Sequence, residues 1–409
     1  YNSQIQAAPA AQQPALMAQR QQYVDELKKY IVFTEDETGG NGTLKIVTDF
    51  GDLVDGANND VSVAKKMCST SPMVKPVWPS IKTDVFNFDR LPSGENNTNI
   101  GSLKGLVLVR GTHQANYTDI PKREDYASDK AYENAVDDYN IMIDSSLIMK
   151  IQSEFDQLIH GIVTGINDIL CPNVELELAD GTKIVVFDEA NAPAGVDGDP
   201  SAGEEPTKGE ALFNRKGIDR YQAAEVVTTF TLDSNGNKIV DAGDPSGTGF
   251  KTETRTVYRY NQEDPLVDYS LFTLGELEIN KEILQDYSKL PLSSGDGTGE
   301  ENRSVAEQLD DLWDTKFSSL NPNSLASSTF KDYYIAMTGE FANRGNTVQG
   351  LADYQLTLVN EIETKRLNVT GVSSDEELTN LIRFQHAYNA SSRYINVISE
   401  MLEHIVTRL

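Results

Sequence analysis

The strongest hydrophobic pattern lies at the C-terminal end of the chain, where apolar residues recur at alternating three- and four-residue steps. This spacing is that of a coiled-coil heptad. The apolar positions form the terminal seam, which consists of Leu381, Phe384, Tyr388, Ile395, Ile398, Leu402, Ile405 and Leu409, with Ser391 at the one polar step. A single helix cannot shield its own apolar stripe, so the terminal seam predicts a partner helix.

Polar residues mark the start of this terminal helix. Ser374 precedes Glu377 by three positions, which is the spacing of a capping box. Asp375 and Glu376 place negative charge near the positive end of the helix dipole. The sequence therefore predicts an assembly helix over residues 374–409, capped by Ser374 and Glu377.

A weaker seam precedes this helix and offers an alternative partner for it. It runs through Val348, Leu351, Gln355, Leu358 and Ile362. The two helices would then pair antiparallel across the turn between them. Because helical stripes are usually core, intramolecular packing is the favoured interpretation for residues 378–395. The remainder of the seam, which continues to the last residue, is the better candidate for assembly between subunits.

Apolar spacing upstream predicts two more helices, a hairpin and a strand. The first helix covers residues 16–32, and the hairpin covers residues 43–56 around Gly51. The apolar run at residues 105–109 predicts a buried strand. A long apolar stripe then predicts a helix that Pro172 ends, and its members are Leu147, Ile151, Phe155, Leu158, Ile162, Ile166 and Ile169.

Residues 172–270 differ in kind from the segments on either side. Short β-type runs, VELEL, KIVVF, VVTTFTL and ETRTVYRY, are separated by loops rich in Gly, Asp and Pro. We therefore expect an α+β multidomain fold, in which N- and C-terminal segments form an elongated helical bundle or coiled-coil rod around an inserted, mainly β domain. The expected parts are residues 1–171, the insert at 172–270, and a helical region at 271–409.

Composition limits the classes of function that are open. The 409 residues carry 63 acidic and 35 basic side chains, for a net charge of -28. Such a surface repels nucleic-acid phosphates and anionic lipid headgroups, so neither nucleic acid nor membrane is expected as a partner. The two cysteines, Cys68 and Cys171, are expected to be structural, and the sequence leaves open whether they pair.

The sequence offers no catalytic arrangement. Its four histidines, His113, His160, His386 and His404, are too far apart to share a helical turn, and the HExxH, GxSxG and P-loop motifs do not occur. We expect no enzyme activity and no cofactor. His386 and His404 are expected to be surface residues of the terminal helix.

One segment has the spacing of a calcium loop. It places Asp233, Asn235, Asn237, Asp241 and Asp244 at steps 1, 3, 5, 9 and 12. Lys238 stands where the EF-hand pattern requires glycine, and Asp244 replaces the usual bidentate glutamate. A hairpin turn around Asn235 and Gly236 explains the same residues, so the favoured expectation is that no metal binds there.

The C-terminal region also resembles a known family. Its pattern is similar to the C-terminal signature of the flagellar hook-associated protein 1 family, the first hook-filament junction proteins. The residues that carry the resemblance are Gly371, Val372, Asp375, Glu376, Glu377, Asn380, Leu381, Gln385, Ala387, Tyr388 and Ala390. Residues 16–27, 51–56, 101–110 and 151–167 are similar to family segments in the same order, although Gln21 stands where the family usually has Asp.

This resemblance implies a structural subunit of the bacterial flagellum that is secreted through the flagellar export channel and is required for filament assembly on the hook. Its implied partners are hook protein, the second junction protein, copies of itself in a helical lattice, and an export chaperone on the C-terminal helix. The family's N-terminal segment is expected to be absent from this sequence. The alternative interpretation is an extracellular adhesin or calcium-binding β-domain on a helical stalk.

Overall fold

A computed structural model describes residues 1–37, 42–48, 51–55, 64–67, 71–78, 82–87, 99–198, 202–232, 249–294, 301–324, 326–371 and 374–408. The chain divides into two compact units, Tyr1–Gly339 and Glu340–Leu409. Helices and several small sheets occur together, which confirms the predicted α+β class. Within the described ranges, no helix combines the length and the apolar character that a membrane crossing requires.

The first unit begins with helices α1 (Asn2–Ala7) and α2 (Gln13–Leu27) and continues into two three-stranded sheets. The strands are β1 (Thr34–Asp36), β2 (Lys45–Thr48), β3 (Gly51–Val54), β4 (Ala64–Met67), β5 (Val74–Trp78) and β6 (Thr83–Asp84). The predicted hairpin is confirmed, because β2 pairs antiparallel with β3. The predicted first helix is confirmed too, but it ends at Leu27. Val24 of α2 packs with Leu44, Ile46 and Trp78 in a shared core.

The apolar run at residues 105–109 is helical, so the prediction of a strand there was wrong. Helix α3 covers Ser102–Arg110, with Val107 buried and Leu106 and Val109 exposed. A short apolar run is compatible with either a buried strand or one face of a helix, and periodicity alone does not separate the two. Here the run forms two helical turns that present only one face to the core.

Helices α4 (Asp129–Tyr139) and α5 (Leu147–Leu170) are joined by a π-helical turn at Asn140–Asp144. The side chain of Ser146 caps α5 by accepting the backbone N–H of Met149. The predicted long helix is therefore confirmed, and it ends before Pro172 as expected. None of the seven stripe residues is exposed, and Leu158 is buried in a cluster with Leu320, Phe330, Tyr333 and Met337.

The predicted β-type runs form a four-stranded antiparallel sheet, whose strands are β7 (Asn173–Glu177), β8 (Lys183–Phe187), β10 (Tyr221–Leu232) and β11 (Gly249–Tyr260). Their order in the sheet is β10-β11-β8-β7. A two-stranded sheet pairs β9 (Phe213–Arg215) with β12 (Leu277–Ile279). The strands of the insert are thus confirmed, whereas the boundaries of a separate β-domain at 172 and 270 stay predictions.

The C-terminal region is mainly helical, as predicted. Helix α6 (Lys281–Gln285) is followed by α7 (Arg303–Asp314), α8 (Phe330–Thr370) and α9 (Ser374–Arg408). The first turns of α8 belong to the first unit, while its later turns and α9 belong to the second. That N- and C-terminal segments together form a rod stays a prediction.

Candidate assembly interface

Helix α9 presents the terminal seam on one uninterrupted helix of 35 residues. At 1.5 Å of rise per residue, the helix is about 52 Å long. Asp375, Glu376 and Glu377 occupy its first turn, where their charges favour the helix dipole. Ser374 is already the first helical residue, so the capping role of Ser374 and Glu377 stays a prediction.

The side chains of the terminal seam are exposed. From Leu381 to Ile405 their exposed fractions range from 38% at Ile398 to 74% at Tyr388. The interpretation of residues 378–395 as intramolecular core was therefore wrong, because the large apolar side chains of this stretch, such as Leu381 and Phe384, are mostly exposed. Leu409, the last seam position, lies outside the described residues.

The weaker seam on α8 is also largely exposed. Val348, Leu351 and Ile362 each expose more than half of their surface, and only Leu358 among the five positions is half-buried. On the same helix, Arg366 Nη2 lies 2.6 Å from Glu363 Oε1 and lowers the pKa of that carboxyl, so the pair is ionic at neutral pH. The antiparallel pairing of the two seams, which would bury both, is not what the structure shows.

The residues that flank the terminal seam are uncharged. Between Leu381 and Ile405 the flanking heptad positions e and g hold Gln385, Ala387, Ser392, Tyr394, Ser399 and Met401. In two-stranded coiled coils these positions often carry the ion pairs that select a partner and its register. Charged residues such as Arg393 and Glu400 lie away from the seam. Between Leu381 and Ile405, the flanking positions of α9 therefore offer no charged side chain for such ion pairs.

The first turns of α8 contrast with its exposed later turns. Phe330, Tyr333 and Met337 are buried in the first unit. The Tyr333 hydroxyl oxygen lies 2.8 Å from Gln157 Oε1, 2.9 Å from the carbonyl oxygen of Glu154 and 3.2 Å from that of Leu320. This polar anchor was not predicted, because the sequence pattern marks apolar faces and gives no signal for a buried hydroxyl.

The histidines are placed as follows. His386 and His404 are exposed on α9, which confirms them as helix-surface residues. His113 Nε2 lies 3.1 Å from Asp119 Oδ1, and the Asp119 carboxylate raises the pKa of His113. His160 Nε2 lies 2.9 Å from Glu263 Oε2. Neither of these last two residues belongs to the candidate interface.

The candidate metal loop and one cysteine are not placed by the structure. Asp233, Asn235, Asn237, Asp241 and Asp244 lie outside the described residues, as does Cys68. In the part of the chain that is described, no group of three or more His, Cys, Asp or Glu side chains is arranged to hold a metal ion. Cys171 is a buried free thiol. The calcium loop therefore stays a prediction, whereas the structure places Cys171 outside any disulfide.

Known proteins match the chain in the region of this interface. A family model described as "Flagellar basal body rod FlgEFG protein C-terminal" matches residues 363–408, which include the last two turns of α8 and all of α9. The match thus covers the described part of the terminal seam. It places a flagellar sequence signature on the same residues that the structure leaves exposed.

Three curated relatives carry the same name, flagellar hook-associated protein 1. The Bacillus subtilis protein is 37% identical over 75 residues, which are 18% of this chain and 15% of the relative. The Escherichia coli protein is 23% identical over 184 residues, 44% of this chain and 30% of the relative. The Salmonella typhimurium protein is 24% identical over 189 residues, 44% of this chain and 31% of the relative.

These matches confirm the resemblance predicted from the sequence, because the chain is similar to proteins named flagellar hook-associated protein 1. The aligned stretches span less than a third of the length of these relatives. The names of these relatives describe proteins associated with the flagellar hook, and none of the three names describes an adhesin.

Proposed function

We propose that this chain is a structural subunit of the bacterial flagellum at the hook-filament junction, required for assembly of the filament on the hook. The observation that carries the proposal is the exposed terminal seam within residues 363–408, the stretch that matches a flagellar family model. Exposed apolar surface of this extent on a soluble chain marks an interaction site. The function is therefore assembly through α9.

The proposed partners follow from the kind of contact that α9 offers. Its apolar seam packs against helices of hook protein, of the second junction protein and of further copies of this chain. Because such contacts join different surfaces of successive subunits, they extend a helical lattice and do not close a dimer. The place of action is outside the cell, after secretion through the flagellar export channel.

An export chaperone on α9 before secretion is part of the same proposal. Seam residues such as Phe384 and Tyr388 would be exposed to other apolar surfaces in the cytoplasm. A partner that covers them until secretion prevents aggregation. Because the flanking positions are uncharged, we expect that contact to depend on apolar packing and to persist at high salt.

The first test is deletion of the gene, with rescue by variants that keep or lack residues 374–409. We expect the deletion strain to release unpolymerised flagellin into the medium and to lack filaments. Only the variant with α9 should restore filaments and motility. Normal filaments in the deletion strain would refute the assignment to the junction.

A point substitution tests the terminal seam more directly. Leu402→Asp places a charge in the centre of an apolar contact and should abolish filament assembly. His404→Asp places the same charge two residues further on, off the seam, and serves as the matched control. Both purified variants should keep the thermal unfolding temperature of the parent, since both positions are exposed. Motility with Leu402→Asp equal to that of the control would remove the seam from the proposal.

A further inference from the structure

A cavity of about 430 Å³ lies in the β-rich part of the first unit, remote in sequence from α9. Its lining comes from Cys171 at the end of α5, from β8, β9 and β11, from the segments 208–211 and 219–221, and from the start of α6. The volume falls within the range of small-molecule sites in proteins. Neither the assembly proposal nor any match assigns a role to it.

Arg220 lines this cavity with a buried positive charge, and one of its donor groups has no partner. The residue is 5% exposed. Its Nη2 group lies 2.9 Å from Asp168 Oδ1 and 3.1 Å from the carbonyl oxygen of Cys171, and its Nε group donates to the hydroxyl oxygen of Tyr221 at 3.3 Å. Its Nη1 group is buried without a hydrogen-bond partner among the described residues. Because an unsatisfied buried donor of a charged group is unfavourable, an acceptor supplied by a ligand stabilises this wall.

Ion pairs compensate some of the other charges at the lining and leave the rest available. Glu282 Oε2 lies 3.0 Å from Lys289 Nζ, so this carboxylate already has a cationic partner. Lys208 and Asp219 are exposed at the lining, and neither forms an ion pair with another described residue. The cavity therefore offers charges of both signs, and a ligand that carries a single charge satisfies only some of them.

Glu210 provides a half-buried negative charge in the same cavity. Asn280 Nδ2 donates to Glu210 Oε2 at 3.0 Å, whereas Oε1 receives no hydrogen bond from another described residue. Burial raises the pKa of this carboxyl, because its ionised form is poorly solvated there. A cationic group beside Oε1 therefore stabilises the ionised form and satisfies the free acceptor.

The positive and negative groups are connected through Cys171. Its carbonyl oxygen accepts from Arg220, and its thiol donates to the carbonyl oxygen of Gly209, the residue before Glu210. Burial raises the pKa of this thiol to about 11, while the Arg220 charge opposes the rise and the Glu210 charge adds to it. The turn at Gly209 is fixed, because its φ is +63° and a Cβ atom there would overlap the ring of Phe187. Two opposite charges thus act on one buried atom of a rigid floor, so a single small ligand reaches both.

We infer that this cavity binds a free amino acid as its zwitterion, with the carboxylate at Arg220 and Lys208 and the ammonium group at Glu210. Carboxylates form strong charge-assisted hydrogen bonds both with guanidinium groups and with ammonium groups. Phe187 and Tyr258 also line the cavity, and Tyr258 is 47% exposed, so their rings provide an apolar surface for the side chain of the ligand. The inference stands independently of the proposed role in the flagellum.

The experiment is an amide-shift NMR titration of the full chain at neutral pH with glycine, L-alanine and L-phenylalanine. Acetate and ethylammonium, which each carry only one of the two charges, serve as comparisons at the same ionic strength. We expect at least one amino acid to shift the amides of residues 208–211 and 219–221 and to bind about tenfold more tightly than either comparison. Absence of these shifts, or an affinity for acetate or ethylammonium that matches the best amino acid, would overturn the inference.

Two variants test the two ends of the ligand separately. Glu210→Gln keeps the size of the side chain and removes its charge, so it should weaken the amino acid about tenfold without weakening acetate. Lys208→Gln should weaken both the amino acid and acetate and leave ethylammonium unchanged. Glu205→Gln lies at an exposed position outside the lining and is the matched control, which should bind like the parent. Parent-like affinity for the amino acid in both test variants contradicts the site. If Glu210→Gln does not fold, the exposed Lys208→Gln variant decides.

Discussion

Helices α5 and α9 carry apolar stripes of similar length, but their surroundings are opposite. In α5, Leu158 is 5% exposed and packs among Leu320, Phe330 and Met337. In α9, Leu402 is 56% exposed, and the rest of the terminal seam is exposed with it. The stripe thus specifies that a helix needs a partner, whereas the location of that partner, within the chain or outside it, is a separate property.

The polar residues of the two helices explain the difference. On α5, Asp156, Gln157 and Asn167 are buried and bond to distant parts of the chain. Asp156, for example, accepts backbone N–H groups from Tyr117 and Leu274. Most polar side chains of α9 are exposed, and the Thr379 and Thr407 hydroxyl groups donate to backbone carbonyl oxygens one turn earlier in the same helix. A helix whose polar side chains bond distant segments belongs to the core, while one whose apolar stripe is exposed can receive a partner.

Truncation of one leucine in each helix gives the largest expected contrast. Leu158→Ala removes buried methyl groups and leaves a cavity, so it should lower the free energy of unfolding by about 2–5 kcal/mol. Leu402→Ala removes the same atoms from an exposed site and should change it by no more than about 0.5 kcal/mol. Urea denaturation of the isolated chain measures both. A comparable loss in the two variants would show that α9 is packed in the isolated chain.

A pair of adjacent tyrosines tests the anchor of α8 with a smaller expected effect. Tyr333→Phe removes a buried hydroxyl that lies within hydrogen-bond distance of Gln157 Oε1 and of the carbonyl oxygens of Glu154 and Leu320, so the hydrogen bond that this hydroxyl donates is lost. We expect a loss of about 1–3 kcal/mol in the free energy of unfolding. Tyr334→Phe is the matched control, because Tyr334 is half exposed and is the next residue of the helix. Equal stability of the two variants would contradict a stabilising role for the anchor.

Periodicity predicted most of the helices and strands, because core-facing residues repeat at the spacing of each element. It failed at residues 105–109, where the run is too short for its period to be defined. It also gave no sign of the buried polar residues Glu154 and Asp156, whose burial depends on partners more than 100 residues away, such as Asn321 and Leu274. Local patterns do not contain such pairings.

The candidate interface was predictable in one respect and not in another. The spacing from Leu381 to Leu409 predicted the seam itself. Intramolecular packing was nevertheless favoured for residues 378–395, because apolar stripes on helices usually pack in the core of their own chain. The sequence pattern does not reveal which other segments of the chain lie against a given helix. The exposure of Phe384 and Tyr388 is a property of the folded chain and required the structure.

The smallest expected effect is on how stability depends on pH. It also distinguishes the core around α5 from the exposed helix α9. Burial by itself raises the pKa of Glu263, but hydrogen bonds from His160 and Tyr117 outweigh it and leave that pKa below its usual value. A carboxyl with a lowered folded-state pKa stabilises the fold above its unfolded pKa of about 4.3, and that contribution disappears as the pH falls through the folded value. Asp156, Arg215 and Tyr260 also face this cluster.

Glu263→Gln should therefore cost about 1 kcal/mol at neutral pH, and the difference from the parent should shrink below about pH 4. Asp156 acts in the opposite sense, because burial raises its pKa. The Glu263 charge adds to that rise, so the difference between variant and parent reports Glu263 together with its effect on Asp156. Glu403→Gln on the exposed helix α9 should leave the profile of stability against pH unchanged. Urea denaturation at a series of pH values measures both variants. A difference for Glu263→Gln that stays constant with pH would contradict the ionised carboxylate, whereas a pH effect from Glu403→Gln would show that α9 is coupled to the fold.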